Sequence, residues 1–201
     1  MPQTTTDTNT YLFECFINYL KLFKNIPQGD IDIIEGALEY RRSTEGNVLF
    51  NEGQVCKEMF FICKGVLRIV SLNEKGNKLT HFFLKENQFC SILISFNNSI
   101  IATEGIEAAC NAELIVLKKH KLLNLFEKLP YLKELINSIT TQSLLEKIQI
   151  KNAYLGEDAS TRYRNFLLRQ PDIALRVSLS DIASYLDITL QSLSRIRKNM
   201  R

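Results

Sequence analysis

Between Thr189 and Lys198 the chain reads TLQSLSRIRK, and a helical period sorts these residues into two sets. Leu193 and Ile196 fall on one side; Leu190, Gln191, Ser194, Arg195 and Lys198 fall on the other. An Arg guanidinium is a fork that matches O6 and N7 of guanine in the major groove of DNA, and a Gln amide can read a second base edge. Arg195 is therefore assigned to a base edge, with Gln191 as the second reader. Thr189, Ser192 and Ser194, with Arg197 and Lys198, suit phosphate oxygens, which fix a protein on the duplex without specifying sequence. Leu190 offers no hydrogen bond but can touch a thymine methyl.

Such a face works only if the residues before it hold it outward. In SLSDIASYLDI, Ser178 can accept from the backbone N–H of Asp181 and so start a helix. Ile182 and Leu186 are spaced to face inward, and Ala183 is small where another helix must approach. Asp187 tolerates a left-handed backbone, Ile188 plugs the turn and Thr189 caps the next helix. Leu193, Ile196 and Met200 are expected to face the core. The pattern is that of a helix-turn-helix. Charge agrees: residues 161–201 carry eight Arg or Lys against three Asp, whereas residues 1–160 are net −2. A basic end on a slightly acidic body suits a polyanion partner for that end.

The rest of the chain divides by texture. The first ten residues are polar and expected to fray. Tyr11 to Asn25 has apolar residues at a helical period, and a second short helix is expected from Asp30 to Leu38. From about 40 to 118, short apolar stretches alternate with turns at Gly53, Gly65 and Gly76, which reads as compact antiparallel β structure. From His120 the pattern is helical, with a long helix from Pro130 to about Leu155. Its apolar residues occupy more than one stripe, so one side is expected to meet the β structure and the other a second copy of itself. Leu132, Ile136, Ile139, Leu145 and Ile148 are the expected dimer contacts. Gly156 follows as a hinge, and Ser160 is expected to cap a helix that turns Tyr163, Phe166 and Leu167 inward. The fold class is α+β, with units at 1–125, 126–155 and 156–201.

Several function classes fall away. The chain of 201 residues has no apolar run approaching a membrane helix, and its start lacks the marks of a secretory signal, so an intracellular, cytoplasmic protein without a membrane partner is expected. Its five cysteines (15, 56, 63, 90, 110) are scattered without a Cys-x-x-Cys pair, so no metal or other cofactor is expected. Gly-x-Ser-x-Gly, Gly-x-x-x-x-Gly-Lys and His-Glu-x-x-His are missing, and His81 and His120 lie far apart, so the chain does not read as an enzyme.

The stretches VLFNEGQ, MFFICKGVLRIV and SLSDIASYLDITLQSLSRIRK resemble the cyclic-AMP receptor protein/FNR (Crp/Fnr) family of bacterial transcription regulators. The resemblance spans the whole chain. It implies an N-terminal cyclic-nucleotide-binding-like β-roll (jelly roll), a homodimer through the long helix, and a C-terminal DNA-binding domain. Two recognition helices would then sit about one DNA turn (~34 Å) apart on inverted-repeat operators of double-stranded DNA. RNA polymerase is left open as a further partner, and the effector ligand is not specified. Members that bind cyclic nucleotides carry Gly-Glu and then an Arg-Ser or Arg-Thr pair. An ungapped alignment puts Ser91-Ile92 and Ala102-Thr103 at those places, a degenerate ligand pocket not expected to take cyclic AMP. Ile92, Leu93, Ile94 and Phe96 are expected to fill core rather than line an apolar pocket. The hairpin wing that often follows the recognition helix is expected to be missing. Two alternatives stay open: a redox, haem or other small-ligand sensor of the same family, with His81 the candidate haem ligand, and an interaction module that does not bind DNA.

Overall fold

The computed structural model describes residues 4–74 and 76–200. Helix α1 (Thr4–Lys21) begins inside the polar stretch expected to fray; residues 1–3 of that stretch lie outside the described residues. Helix α2 is Gln28–Glu35, so Leu38 opens strand β1 (Leu38–Ser43) instead of closing a helix. Seven more strands follow: β2 (Val48–Phe50), β3 (Glu58–Lys64), β4 (Leu67–Leu72), β5 (Lys78–Leu84), β6 (Phe89–Cys90), β7 (Gly105–Ala108) and β8 (Ala112–Lys118). The short helix α3 (Leu93–Asn98) interrupts them. They form two antiparallel four-stranded sheets, ordered β1-β8-β3-β6 and β2-β7-β4-β5.

Alternation of side chains explains why the central strands read as unbroken apolar runs. On β3 and β8, Phe60, Ile62, Leu114 and Val116 point between the two sheets, into a core shared with Leu67, Leu84 and Ile106. Met59, Phe61, Ile115 and Leu117 point the other way, against Phe16 and Leu20 of α1. A strand covered on both faces has no polar side to show. The Lys64-Gly65 turn between β3 and β4 requires glycine: Gly65 has φ +101°, and a Cβ there would sit 2.4 Å from the Asn111 carbonyl oxygen.

Helix α4 (Lys119–Lys128) leads into α5 (Pro130–Asn152), the long helix, about 34 Å from end to end. Its first half belongs to the subunit. Leu132, Ile136 and Ile139, only 1%, 2% and 6% exposed, pack with the α1 side of the sheet. These three expected dimer contacts are thus spent on the subunit's own core. In the second half Leu144, Leu145 and Ile148 are 38%, 50% and 40% exposed and have no such cover.

After a turn in which Gly156 adopts φ +78° come α6 (Ala159–Arg169), α7 (Pro171–Ala174), α8 (Leu179–Tyr185) and α9 (Leu190–Asn199). The cap of α6 is Asp158, not Ser160: its carboxylate accepts from the Ser160 and Thr161 amides at 2.8 and 3.0 Å. Tyr163, Phe166, Ile182, Leu186 and Leu193 build a third core. Within it the Gln170 amide donates to the Tyr154 and Tyr185 hydroxyls, which satisfies its buried nitrogen.

Candidate nucleic-acid interface

The turn between α8 and α9 is set by local hydrogen bonds. The Ser178 hydroxyl accepts from the Asp181 amide at 3.1 Å and starts α8. Asp187 takes the left-handed conformation, φ 53°, and the Ile188 amide then bonds back to the Ala183 carbonyl at 3.0 Å. Thr189 starts α9 by accepting from the Ser192 amide at 3.1 Å. Ala183 is buried where the helices approach, and Leu193 is wholly buried under α9. Ile188 and Ile196 pack at the margin of this core; Met200, expected there, is exposed instead.

The opposite side of α9 is free. Leu190, Gln191, Ser194, Arg195 and Lys198 are exposed. Among the described residues, Gln191, Ser194, Arg195, Arg197 and Lys198 have no side-chain hydrogen bond or ion pair. Thr189 and Ser192 are less free, because the Thr189 hydroxyl also donates to that of Ser192 at 2.9 Å. Basic residues in the last turn, Arg197 and Lys198, also suit the negative end of the helix dipole.

Sequence reasoning missed what holds this pair of helices against the β-sandwich. Arg68 of β4 is ion-paired with Asp181 of α8 and, at 2.8 Å, with Glu107 of β7; Lys78 closes the cluster on Glu107. Burial pushes the Asp181 carboxyl up, with Arg68 opposing. The Thr80 amide donates to the Ser184 hydroxyl at 2.8 Å, which donates in turn to the Lys78 carbonyl at 3.0 Å. Arg176 clasps Glu86 through both guanidinium nitrogens, and Lys85 meets Asp172. Nothing local in sequence announces partners such as Arg68 and Asp181, which stand 113 residues apart.

The expected ligand positions lie around α3. Ser91 is buried, its hydroxyl donating to the Glu58 carbonyl at 3.0 Å. Ile92 and Ala102 are buried and apolar, while Thr103 is exposed and donates to Glu104. The structure gathers Ser91 and Ile92, but not Ala102 or Thr103, on the wall of a cavity of about 200 Å³ between the sandwich and α5. Leu93 and Ile94 line it as well, contrary to the expectation that they only fill core; Phe96 does pack in the core. His81, a half-buried neighbour in this wall, bonds to the Ser71 hydroxyl at 2.7 Å; desolvation and Lys151 push its pKa down.

Among the described residues no helix is long and apolar enough to cross a membrane, and no cluster of three or more His, Cys, Asp or Glu could hold a metal ion. Residues 40–129 match the family model described as the cyclic nucleotide-binding domain. A comparison with curated proteins gives no match. The fold is shared with solved structures. The c-di-GMP responsive global regulator CLP of Xanthomonas campestris superposes with TM-score 0.67 at 15% identity, over 87% of this chain and 91% of that one. FixK2 of Bradyrhizobium japonicum gives 0.68 at 18%, over 81% and 84%. A CRP/FNR-family transcriptional regulator of Thermus thermophilus gives 0.65 at 16%, over 81% and 85%. These neighbours are regulators rather than enzymes. The chain thus matches a cyclic nucleotide-binding domain model over residues 40–129, and it shares its fold with solved Crp/Fnr-type regulators.

Proposed function

We propose that this protein is a sequence-specific DNA-binding transcription regulator, acting on inverted-repeat sites as a homodimer and not controlled by cyclic AMP. The observation that carries this reading is the outer face of α9, where Gln191, Ser194, Arg195 and Lys198 stand exposed, without partners among the described residues, above a buried Leu193. In it α8 and α9 are a helix-turn-helix, and α9 is the recognition helix. Arg195 and Gln191 read base edges and Leu190 touches a thymine methyl; Ser194, Arg197 and Lys198, with Thr189 and Ser192, hold phosphates. The basic balance of residues 161–201 supports the same partner.

The dimer is supported by the second half of α5. Leu144, Leu145 and Ile148 form an exposed apolar strip on the side of α5 away from the buried Leu132, Ile136 and Ile139, and a second copy of the helix would cover it. Independence from cyclic AMP is supported by the chemistry of Ser91, Ile92, Ala102 and Thr103, none of which carries a charge. A phosphate there would meet Lys147 in place of the Arg that the resemblance implies, and the cavity of about 200 Å³ is below the ~300–1,000 Å³ typical of drug-sized ligands.

Selection of bound genomic DNA with the purified protein tests the reading in one step. Enrichment of inverted repeats with half-site centres about 10 base pairs apart is expected. Recovery of no common sequence would refute it.

A further inference from the structure

We propose that the cavity between the sandwich and α5 is a binding site for a small amphipathic carboxylate: its charged end meets the Lys147 ammonium, and its body lies among Ile69, Phe82, Leu84, Ile92 and Leu144. This rests on the reading that the domain has given up cyclic nucleotides, and it names the chemistry that replaces them. At about 200 Å³ the cavity is smaller than the ~300–1,000 Å³ typical of drug-sized ligands, so it suits a short chain or single ring better than a nucleotide.

Lys147 supplies the polarity. Its Nζ donates to the Ser143 carbonyl at 3.2 Å and to the Ser143 hydroxyl, both neutral acceptors. Among the described residues no carboxylate lies within ion-pair distance of it. Desolvation pushes the ammonium below the ordinary lysine value, and the weaker pull of Cys90 and Glu146 opposes this only in part. A half-buried cation without a counter-charge is partly desolvated, and an anion arriving in the cavity relieves that cost. One carboxylate, Glu104, also stands on the wall; it accepts from the Thr103 hydroxyl at 3.1 Å and acts on His81 rather than pairing with Lys147. The remaining wall is mainly apolar, which asks for an apolar body behind the charged group.

The position also makes an occupant an effector. Strand β5 lends His81, Phe82 and Leu84 to the cavity, while its Thr80 amide and Lys78 carbonyl grip Ser184 of α8. Helix α5 lends Ser143, Leu144 and Lys147, and one turn later Lys151 donates to the His81 carbonyl. Strand β5, one of the elements that hold α8, and α5, which is bonded to β5, thus both touch the ligand, whose effect equals its difference in affinity between their arrangements.

Calorimetric titration of the full chain with octanoate, octan-1-ol and cyclic AMP tests the site. Octanoate is expected to bind at least tenfold more tightly than octan-1-ol. Lys147→Gln should remove that advantage and leave octan-1-ol unchanged, while Lys147→Arg retains it. Equal affinity of octanoate and octan-1-ol for the unaltered protein overturns the proposal, whether or not Lys147→Gln folds; so does an advantage that survives in a folded Lys147→Gln protein. Micromolar binding of cyclic AMP would instead overturn the nucleotide-free reading beneath it. Silence of both octanoate and cyclic AMP overturns the carboxylate site alone.

Discussion

Two groups of charged residues sit on consecutive helices and are treated in opposite ways. On α8, Asp181 is half-buried and locked to Arg68, which also holds Glu107. On α9, Arg195 and Lys198 stand in solvent with no partner among the described residues. The first group has its counter-charges built in, so its work is internal: it fixes the helix pair to the sandwich. The second leaves its hydrogen-bonding capacity unspent, which a folded chain tolerates on its surface and a duplex can use. The contrast separates stability from binding, and substitutions can pull the two apart.

The largest effect is expected at the internal group. Arg68→Met strips Asp181 of its cation inside the interface and should cost about 3–5 kcal/mol of stability, read as a lower urea midpoint. Leu193→Ala comes next, at about 2–5 kcal/mol, because the side chain under α9 is wholly buried. Arg195→Ala reverses the balance: DNA affinity should fall by about 1–3 kcal/mol, while thermal stability stays within about 0.5 kcal/mol. Thr189→Ala removes the cap of α9 and should cost about 1 kcal/mol, seen as a small drop in melting temperature. The smallest effect is one of pH. His81 has its pKa lowered in the folded state, so the unfolded chain binds more protons as pH falls below its ordinary value of about 6.5. Stability should decline from there down to the folded pKa, and His81→Gln should flatten that decline in chemical denaturation curves.

Local chemistry was legible before the structure. The caps Ser178 and Thr189, the left-handed Asp187 and the glycine turns are each decided within four residues, and each appears as read. The β domain was legible because strands buried on both faces leave apolar runs that turns must punctuate. Where two local solutions compete, sequence could not choose: Asp158 and Ser160 are both good caps, and the acid took the role. The long helix failed differently. Periodicity shows that two faces are apolar, but it does not say which face meets the chain itself, and Leu132, Ile136 and Ile139 are already buried within the subunit. The docking of α8 was invisible because Arg68, Thr80 and Asp181 gain meaning only once β4, β5 and α8 are adjacent. The cavity was hidden for a related reason, since one side of its wall, Thr140, Ser143, Leu144 and Lys147, comes from α5.

The claim that the outer face of α9 lies against DNA is tested most directly by fluorescence anisotropy with a selected inverted repeat, comparing unaltered and Arg195→Ala protein across a salt series. The account predicts tight binding that weakens steeply as salt rises, and a roughly 5- to 150-fold loss in the variant at every salt concentration, from about 1–3 kcal/mol per base contact. Equal affinities for the two proteins, or binding indifferent to salt, would contradict it.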